Sequence, residues 1–107
     1  MTIKFRSPFP PPEGFAREVL TIIAEECAEV AQRCTKALRF GLTEIEPGHE
    51  RTNAWRIGLE FGDLVAIMSM AQRYGLVPSE AIEDGEAEKR VRLVAYMQTE
   101  PPGSNGR

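Results

Sequence analysis

The sequence predicts an all-α fold: an antiparallel helical hairpin plus a third helix, completed into a four-helix-type bundle by oligomerisation. Two long segments repeat apolar residues at the helical period, and each ends at a glycine. No segment shows the period-two alternation of a strand. The chain has 107 residues, of which 42% are hydrophobic and 27% charged, as expected for one globular domain. Because the apolar arcs are too broad for a lone hairpin to cover, we expect a homodimer or homotetramer.

The first element is an extended Pro-rich arm, predicted over residues 1–12. Its run Pro8-Phe9-Pro10-Pro11-Pro12 is extended because each proline restricts the residue before it to β or polyproline geometry. The first helix is predicted over 13–40 and closed by Gly41, since glycine is the usual residue just after a helix. Residues 42–51 then form a loop that contains a Pro-Gly turn signal.

The second helix is predicted over 52–74. Thr52 or Asn53 serves as its N-cap, because either side chain can accept a hydrogen bond from a free amide of the first turn. Gly75 ends it.

The third helix is predicted to begin with Ser79 as N-cap and to continue to about residue 98, with Gly85 as a weak point. The three helices together make one helical domain over 13–98. The tail, residues 99–107, is rich in Pro, Gly, Ser and Asn, and this composition predicts disorder.

Acidic residues lie on the apolar face of both long helices. Glu26 and Glu29 are three residues apart in the first helix, and Glu60 and Asp63 are three apart in the second. The apolar arc of the first helix contains Phe15, Val19, Ile22, Ile23, Val30, Cys34 and Ala37. The arc of the second contains Ile57, Phe61, Leu64, Ile67, Met68 and Ala71. Because several charged carboxylates in a sheltered groove are costly, the pattern predicts a bound divalent cation.

The residue types favour a hard cation and a cytoplasmic protein. Oxygen ligands suit Mg²⁺, with Mn²⁺ as a possible substitute, whereas one histidine and no Cys-x-x-Cys motif argue against structural zinc. A net charge of −3 without a basic stripe argues against binding to nucleic acid. No apolar segment approaches the length of a membrane span, and residues 1–12 contain no apolar signal core, so we expect no membrane association and a cytoplasmic location.

The two motifs, Glu-Glu-x-x-Glu over residues 25–29 and Glu-x-x-Asp over residues 60–63, resemble the signature of the MazG-like all-α nucleoside triphosphate pyrophosphohydrolases. The resemblance covers roughly residues 15–93. It implies that Glu26, Glu29, Glu60 and Asp63 bind Mg²⁺. It also implies that the substrate is a nucleoside triphosphate cleaved between its α- and β-phosphates, which releases a monophosphate and pyrophosphate.

Other residues receive roles from this chemistry. Glu25, which adjoins the cluster, is the candidate general base, and Glu29 is the other choice. The candidate phosphate-binding residues are Lys36, Arg39, Lys89 and Arg92, of which only the last two have support from the resemblance. Trp55 is a candidate for stacking on the base, or else packs in a core or subunit interface.

Two alternatives to an enzyme remain at this point. One is a helical oligomer that binds nucleotide or metal without turnover, as a sensor or partner module. The other is a purely structural helical dimer.

Overall fold

The computed structural model describes residues 8–103, which contain three α-helices and no strand. They are α1 (Gly14–Phe40), α2 (Asn53–Arg73) and α3 (Ser79–Tyr96). The predicted all-α class is therefore confirmed for this part of the chain. None of these helices has the length and apolar content that crossing a bilayer requires.

The ends of α1 and α2 agree with the prediction to within one residue. Gly41 is the C-cap that follows α1: its φ of 99° is open to glycine and strained for other residues, and its amide donates to the Ala37 carbonyl at 2.8 Å. Thr52 is the N-cap of α2, because its Oγ1 accepts a hydrogen bond from the Trp55 amide at 3.1 Å. Gly75, with a φ of 74°, follows the C-terminal end of α2.

The prediction for the start of α3 is wrong by one residue. The N-cap is Pro78, and Ser79 is the first helical residue. Proline suits this boundary because its fixed φ, here −66°, is already helical and it has no amide to leave unpaired. The helix continues through Gly85 without a break and ends at Tyr96, two residues before the predicted end.

The terminal segments are described only in part. Residues 8–12 form no helix or strand, and residues 99–103 contain only turns and bends. Residues 1–7 of the predicted arm and 104–107 of the predicted tail lie outside the described residues.

α1 and α2 form an antiparallel hairpin, as three contacts along its length demonstrate. Near the start of α1, the Phe15 ring meets the Tyr74 ring just after α2, edge to face, with 5.2 Å between centroids. At the other end of the hairpin, Asn53 at the start of α2 donates from Nδ2 to the carbonyl of Gly41 at 2.8 Å. Glu26 approaches α2 between these two points.

The hairpin buries few side chains. Val19, Ile67 and Ala71 are the buried apolar residues among those described, and Asn53 is the buried polar one. Phe61, which the helical period places on the inward arc, is 54% exposed. A single chain therefore leaves most of its large apolar residues in contact with water.

α3 belongs to a second compact unit. The chain divides between Leu76 and Val77, so that α1 and α2 lie in the first unit and α3 in the second. Every residue of α3 except Ile82 is exposed. The single domain over 13–98 stays a prediction.

Candidate functional site

Three carboxylates from two helices converge midway along the hairpin. One carboxylate oxygen each from Glu26 of α1 and from Glu60 and Asp63 of α2 lie within 4.8 Å of one another. Glu26 and Glu60 are partly buried, and Asp63 is exposed. Two helices thus bring three formal negative charges into one small volume.

Burial and neighbouring charge act together on Glu26. Partial removal from water, then the charges of Asp63 and Glu60, and then those of Glu29 and Glu25, raise the pKa of Glu26 above its ordinary value. All five causes disfavour the ionised form. A positive charge placed among these oxygens would reverse the effect, because it would favour ionised carboxylates.

The local sequence explains why the cluster forms. Glu60 and Asp63 lie on neighbouring turns of α2 because residues three apart share a helical face. The hydrogen bond from Asn53 Nδ2 to the Gly41 carbonyl holds the end of α1 against the start of α2. It therefore helps to fix the register in which Glu26 faces Glu60 and Asp63. Asn53 Nδ2 also donates to Glu44 Oε1 at 3.0 Å, and its backbone amide donates to the Glu44 carbonyl at 2.9 Å.

The donor set fits a hard divalent cation. Mg²⁺ binds carboxylate oxygens at about 2.0–2.1 Å, so oxygens on opposite sides of one ion are roughly 4 Å apart. The three oxygens, within 4.8 Å of one another, need only small side-chain rotations to reach such an ion.

The remaining acids of the first motif lie at the margin. Glu29, predicted as the fourth ligand and as an alternative base, is exposed and is not part of the three-carboxylate group, although its charge acts on Glu26. Glu25 is also exposed and acts on Glu26 through its charge. It lines a shallow surface groove with Arg17 and Thr21.

Lys36, a predicted phosphate-binding residue, takes part in an ionic network around Glu46. Lys36 Nζ lies 2.9 Å from Glu46 Oε1, while Arg56 Nη1 and His49 Nε2 lie 3.1 Å and 3.0 Å from Oε2. Hydrogen bonds from Lys36 and Arg56 lower the pKa of Glu46 to about 2. This network ties the loop after α1 to both helices. Sequence reasoning missed this network, because contacts made by a loop have no periodicity.

The other predicted binding residues lie on exposed surface. The Arg39 guanidinium is 5.3 Å from the Phe40 ring centroid. In the second unit, Lys89 Nζ is 5.6 Å from the Tyr96 ring centroid, and Arg92 is exposed. Trp55 is 53% exposed, with the Arg51 guanidinium 4.3 Å from its ring centroid.

Sequence reasoning missed Arg33. Its Nε and Nη1 atoms are buried, and neither finds a hydrogen-bond partner among residues 8–103. Arg33 follows Glu26 by seven residues, two turns along the same face of α1. Buried guanidinium donors without an acceptor are unusual, and an anion is the ligand that they suit. The seven-residue spacing from Glu26 could have placed Arg33 on the same face of the first helix before the structure was known.

Comparisons of the chain with protein-family models, with curated proteins and with solved structures find no match.

Proposed function

We propose that this protein is a Mg²⁺-dependent nucleoside triphosphate pyrophosphohydrolase of the MazG-like type. The observation that carries the proposal is the convergence of Glu26, Glu60 and Asp63 within 4.8 Å, with two of the three partly withdrawn from water. Uncompensated carboxylates are unfavourable in such a place, and a cation relieves them. The resemblance of the two motifs supplies the reaction.

Glu26, Glu60 and Asp63 would hold the cation, and Glu29 could join them by a side-chain rotation. Bound there, Mg²⁺ would screen the carboxylates from a polyphosphate and polarise its phosphorus. Mn²⁺ would serve as a substitute.

The chain's own residues perform the remaining tasks. Glu25 or Glu29 accepts the proton of the water that attacks the α-phosphorus. The bond between that phosphorus and the bridging oxygen breaks, and pyrophosphate leaves with the electron pair. Both acids are exposed to water beside the cluster, as a base requires.

Arg33 is the best-supported phosphate contact within the hairpin. Its Nε and Nη1 groups are buried without an acceptor, and a rotation of the side chain toward the acidic cluster would let them donate to phosphate oxygens. We expect an Arg33→Met enzyme to show a raised KM for the triphosphate, because the variant keeps much of the side-chain volume but loses the donors. Equal KM values for the variant and the natural protein would remove this residue from the site.

The working form is a homodimer or homotetramer that completes the bundle. The support is the small core of one chain, in which Val19, Ile67 and Ala71 are the buried apolar residues described. A core of this size supplies little of the burial that a domain of this length needs.

The decisive experiment measures pyrophosphate release from a panel of ribo- and deoxyribonucleoside triphosphates with and without Mg²⁺. We expect turnover that needs the metal and falls by at least about a hundredfold in Glu26→Gln and in Glu60→Gln, since each removes a ligand charge. Glu83→Gln, an exposed acid on α3, is the matched control and should keep full activity. Turnover that survives both site substitutions refutes the catalytic assignment.

The same samples separate the alternatives. A sensor that binds without turnover gains thermal stability from Mg²⁺ but releases no pyrophosphate. A purely structural dimer shows neither effect, because only binding to the folded state raises stability.

A further inference from the structure

The outer side of α2 is nearly as apolar as the side that packs on α1, where Ile67 and Ala71 are buried. The side of α2 toward α1 contains the ionic residues Arg56 and Glu60, both partly buried. The exposed positions of α2 from Ala54 to Met70 contain one ionic residue, Asp63, and that carboxylate belongs to the acidic cluster. A helix with water on its outer side normally has charged and polar residues there.

Five large apolar side chains lie on the exposed side of α2. Trp55, Leu59, Phe61, Val65 and Met70 are each between 42% and 56% exposed. Single apolar residues on a surface are ordinary, whereas a continuous apolar face along most of a helix marks an interaction surface. We call these five residues, with the small residues between them, the α2 outer face.

Small residues follow one line along this face. Gly58, Gly62 and Ala66 are spaced four apart, so they lie above one another on the helix. A Cβ added at Gly58 or Gly62 would meet no atom within 4 Å, so the fold of a single chain does not require glycine at either position. Glycine destabilises a helix interior, but it allows the backbone of another helix to approach closely.

We infer that the α2 outer face binds the same face of a second copy of this chain, with the two α2 helices packed across a two-fold axis. The inference deepens the proposed oligomer by naming its surface, and it does not require catalysis. The absence of ionic side chains other than Asp63 favours self-association, because an isologous contact opposes each residue to its own kind or its neighbours. A charged face would repel its copy.

The area suits such a dimer. An aromatic side chain offers about 150–250 Å² for burial, so the exposed halves of Trp55 and Phe61 contribute roughly 100 Å² each. Leu59, Val65 and Met70 together roughly double that sum, which gives about 400 Å² of apolar surface per chain. A standard interface buries about 800 Å² per partner, of which roughly 60%, or about 480 Å², is apolar. The first value is an upper limit for one helix–helix contact, because Phe61 and Met70 are nine residues apart and so lie on opposite flanks of the outer face. It is of the same order as the second.

The first test is sedimentation velocity on the full chain over a wide range of protein concentration. We expect the natural protein to sediment with the mass of two chains or an even multiple, and Leu59→Glu to raise the dissociation constant by at least about tenfold. The effect is large because a two-fold axis brings the added charge into the contact twice. The matched control is Val94→Glu, an apolar residue on α3 that is 86% exposed, and it should assemble like the natural protein.

A second measurement needs no substitution. Trp55 is the only tryptophan and lies on the α2 outer face, so acrylamide quenching of its fluorescence reports whether that face is covered. We expect quenching to increase on dilution, as dimers dissociate. The inference is overturned by a protein that is monomeric at every concentration, by Trp55 quenching that stays the same while sedimentation shows the dimers dissociating, or by Leu59→Glu and Val94→Glu behaving alike. Activity enters none of these readouts, so this inference and the catalytic proposal fail separately.

Discussion

Replacing Asn53 by alanine should destabilise the hairpin more than any other single polar substitution in the loop region. Asn53 is 2% exposed, and its Nδ2 donates to the Gly41 carbonyl at 2.8 Å and to Glu44 Oε1 at 3.0 Å. A neutral hydrogen bond contributes about 1 kcal/mol and one to a carboxylate about 2 kcal/mol, so Asn53→Ala should cost about 3 kcal/mol. For a domain of this size, that loss lowers Tm by roughly 10–20 °C.

The assay is urea denaturation followed by circular dichroism at one fixed protein concentration, because any association of chains would contribute to the measured stability. Thr52→Ala is the neighbouring control. It removes only the bond from the Trp55 amide to Thr52 Oγ1 and should cost about 1 kcal/mol. An Asn53→Ala loss no greater than the Thr52→Ala loss would refute the claim that this side chain clips the two helices together.

Four further substitutions test the ionic network, the core, α3 and the α2 outer face. Because the folded pKa of Glu46, about 2, is below its ordinary 4.5, the stability it contributes is complete above about pH 5 and lost as the pH falls from 4.5 toward 2. A Glu46→Gln protein should therefore lose less stability than the natural one between pH 6 and 3 in thermal melts. Ile67→Ala, in the small core, should cost about 2–5 kcal/mol by urea denaturation, and a cost below 1 kcal/mol would show that the site is not packed. Gly85→Ala on α3 should raise stability by up to about 1 kcal/mol, because alanine favours the helix and the added methyl meets no atom within 4 Å. Gly62→Ala also adds a methyl that fits within the single chain, but it should weaken the association of two chains measured by sedimentation.

Helix bounds were predictable because they depend on local chemistry. Gly41, Thr52 and Gly75 act through their own backbone freedom or hydroxyl group, and each lies where the pattern placed it. Ser79 failed as a cap because two neighbouring residues both suit that boundary, and the conformation of Pro78 decided between them.

The convergence of acidic side chains in the candidate site was predictable to the extent that it follows helical phase. Glu26, Glu60 and Asp63 share faces that the 3.6-residue period identifies, and they meet. Glu29 is outside the group. It lies at the edge of the apolar arc, so whether its carboxylate reaches the cluster depends on its side-chain rotamer, which the helical period does not predict.

Contacts between the loop and the helices could not be predicted. Glu46 meets Lys36, ten residues before it, and Arg56, ten residues after it, and no local rule relates those positions. Lys36, which was predicted to bind phosphate, is instead paired with Glu46 in this network. Phe61 was predicted on the inward arc of α2 but is 54% exposed. The helical period identifies the two sides of a helix, but it does not tell which neighbour covers each side.

The apolar outer side of α2 has a consequence for how this protein would behave during synthesis. If a second copy covers that side, a newly made chain would leave the ribosome with its most apolar surface in water and would be open to chaperones and proteases until it associates. Expression level would then set the fraction that survives, and a cell making few copies would hold less than its transcript suggests.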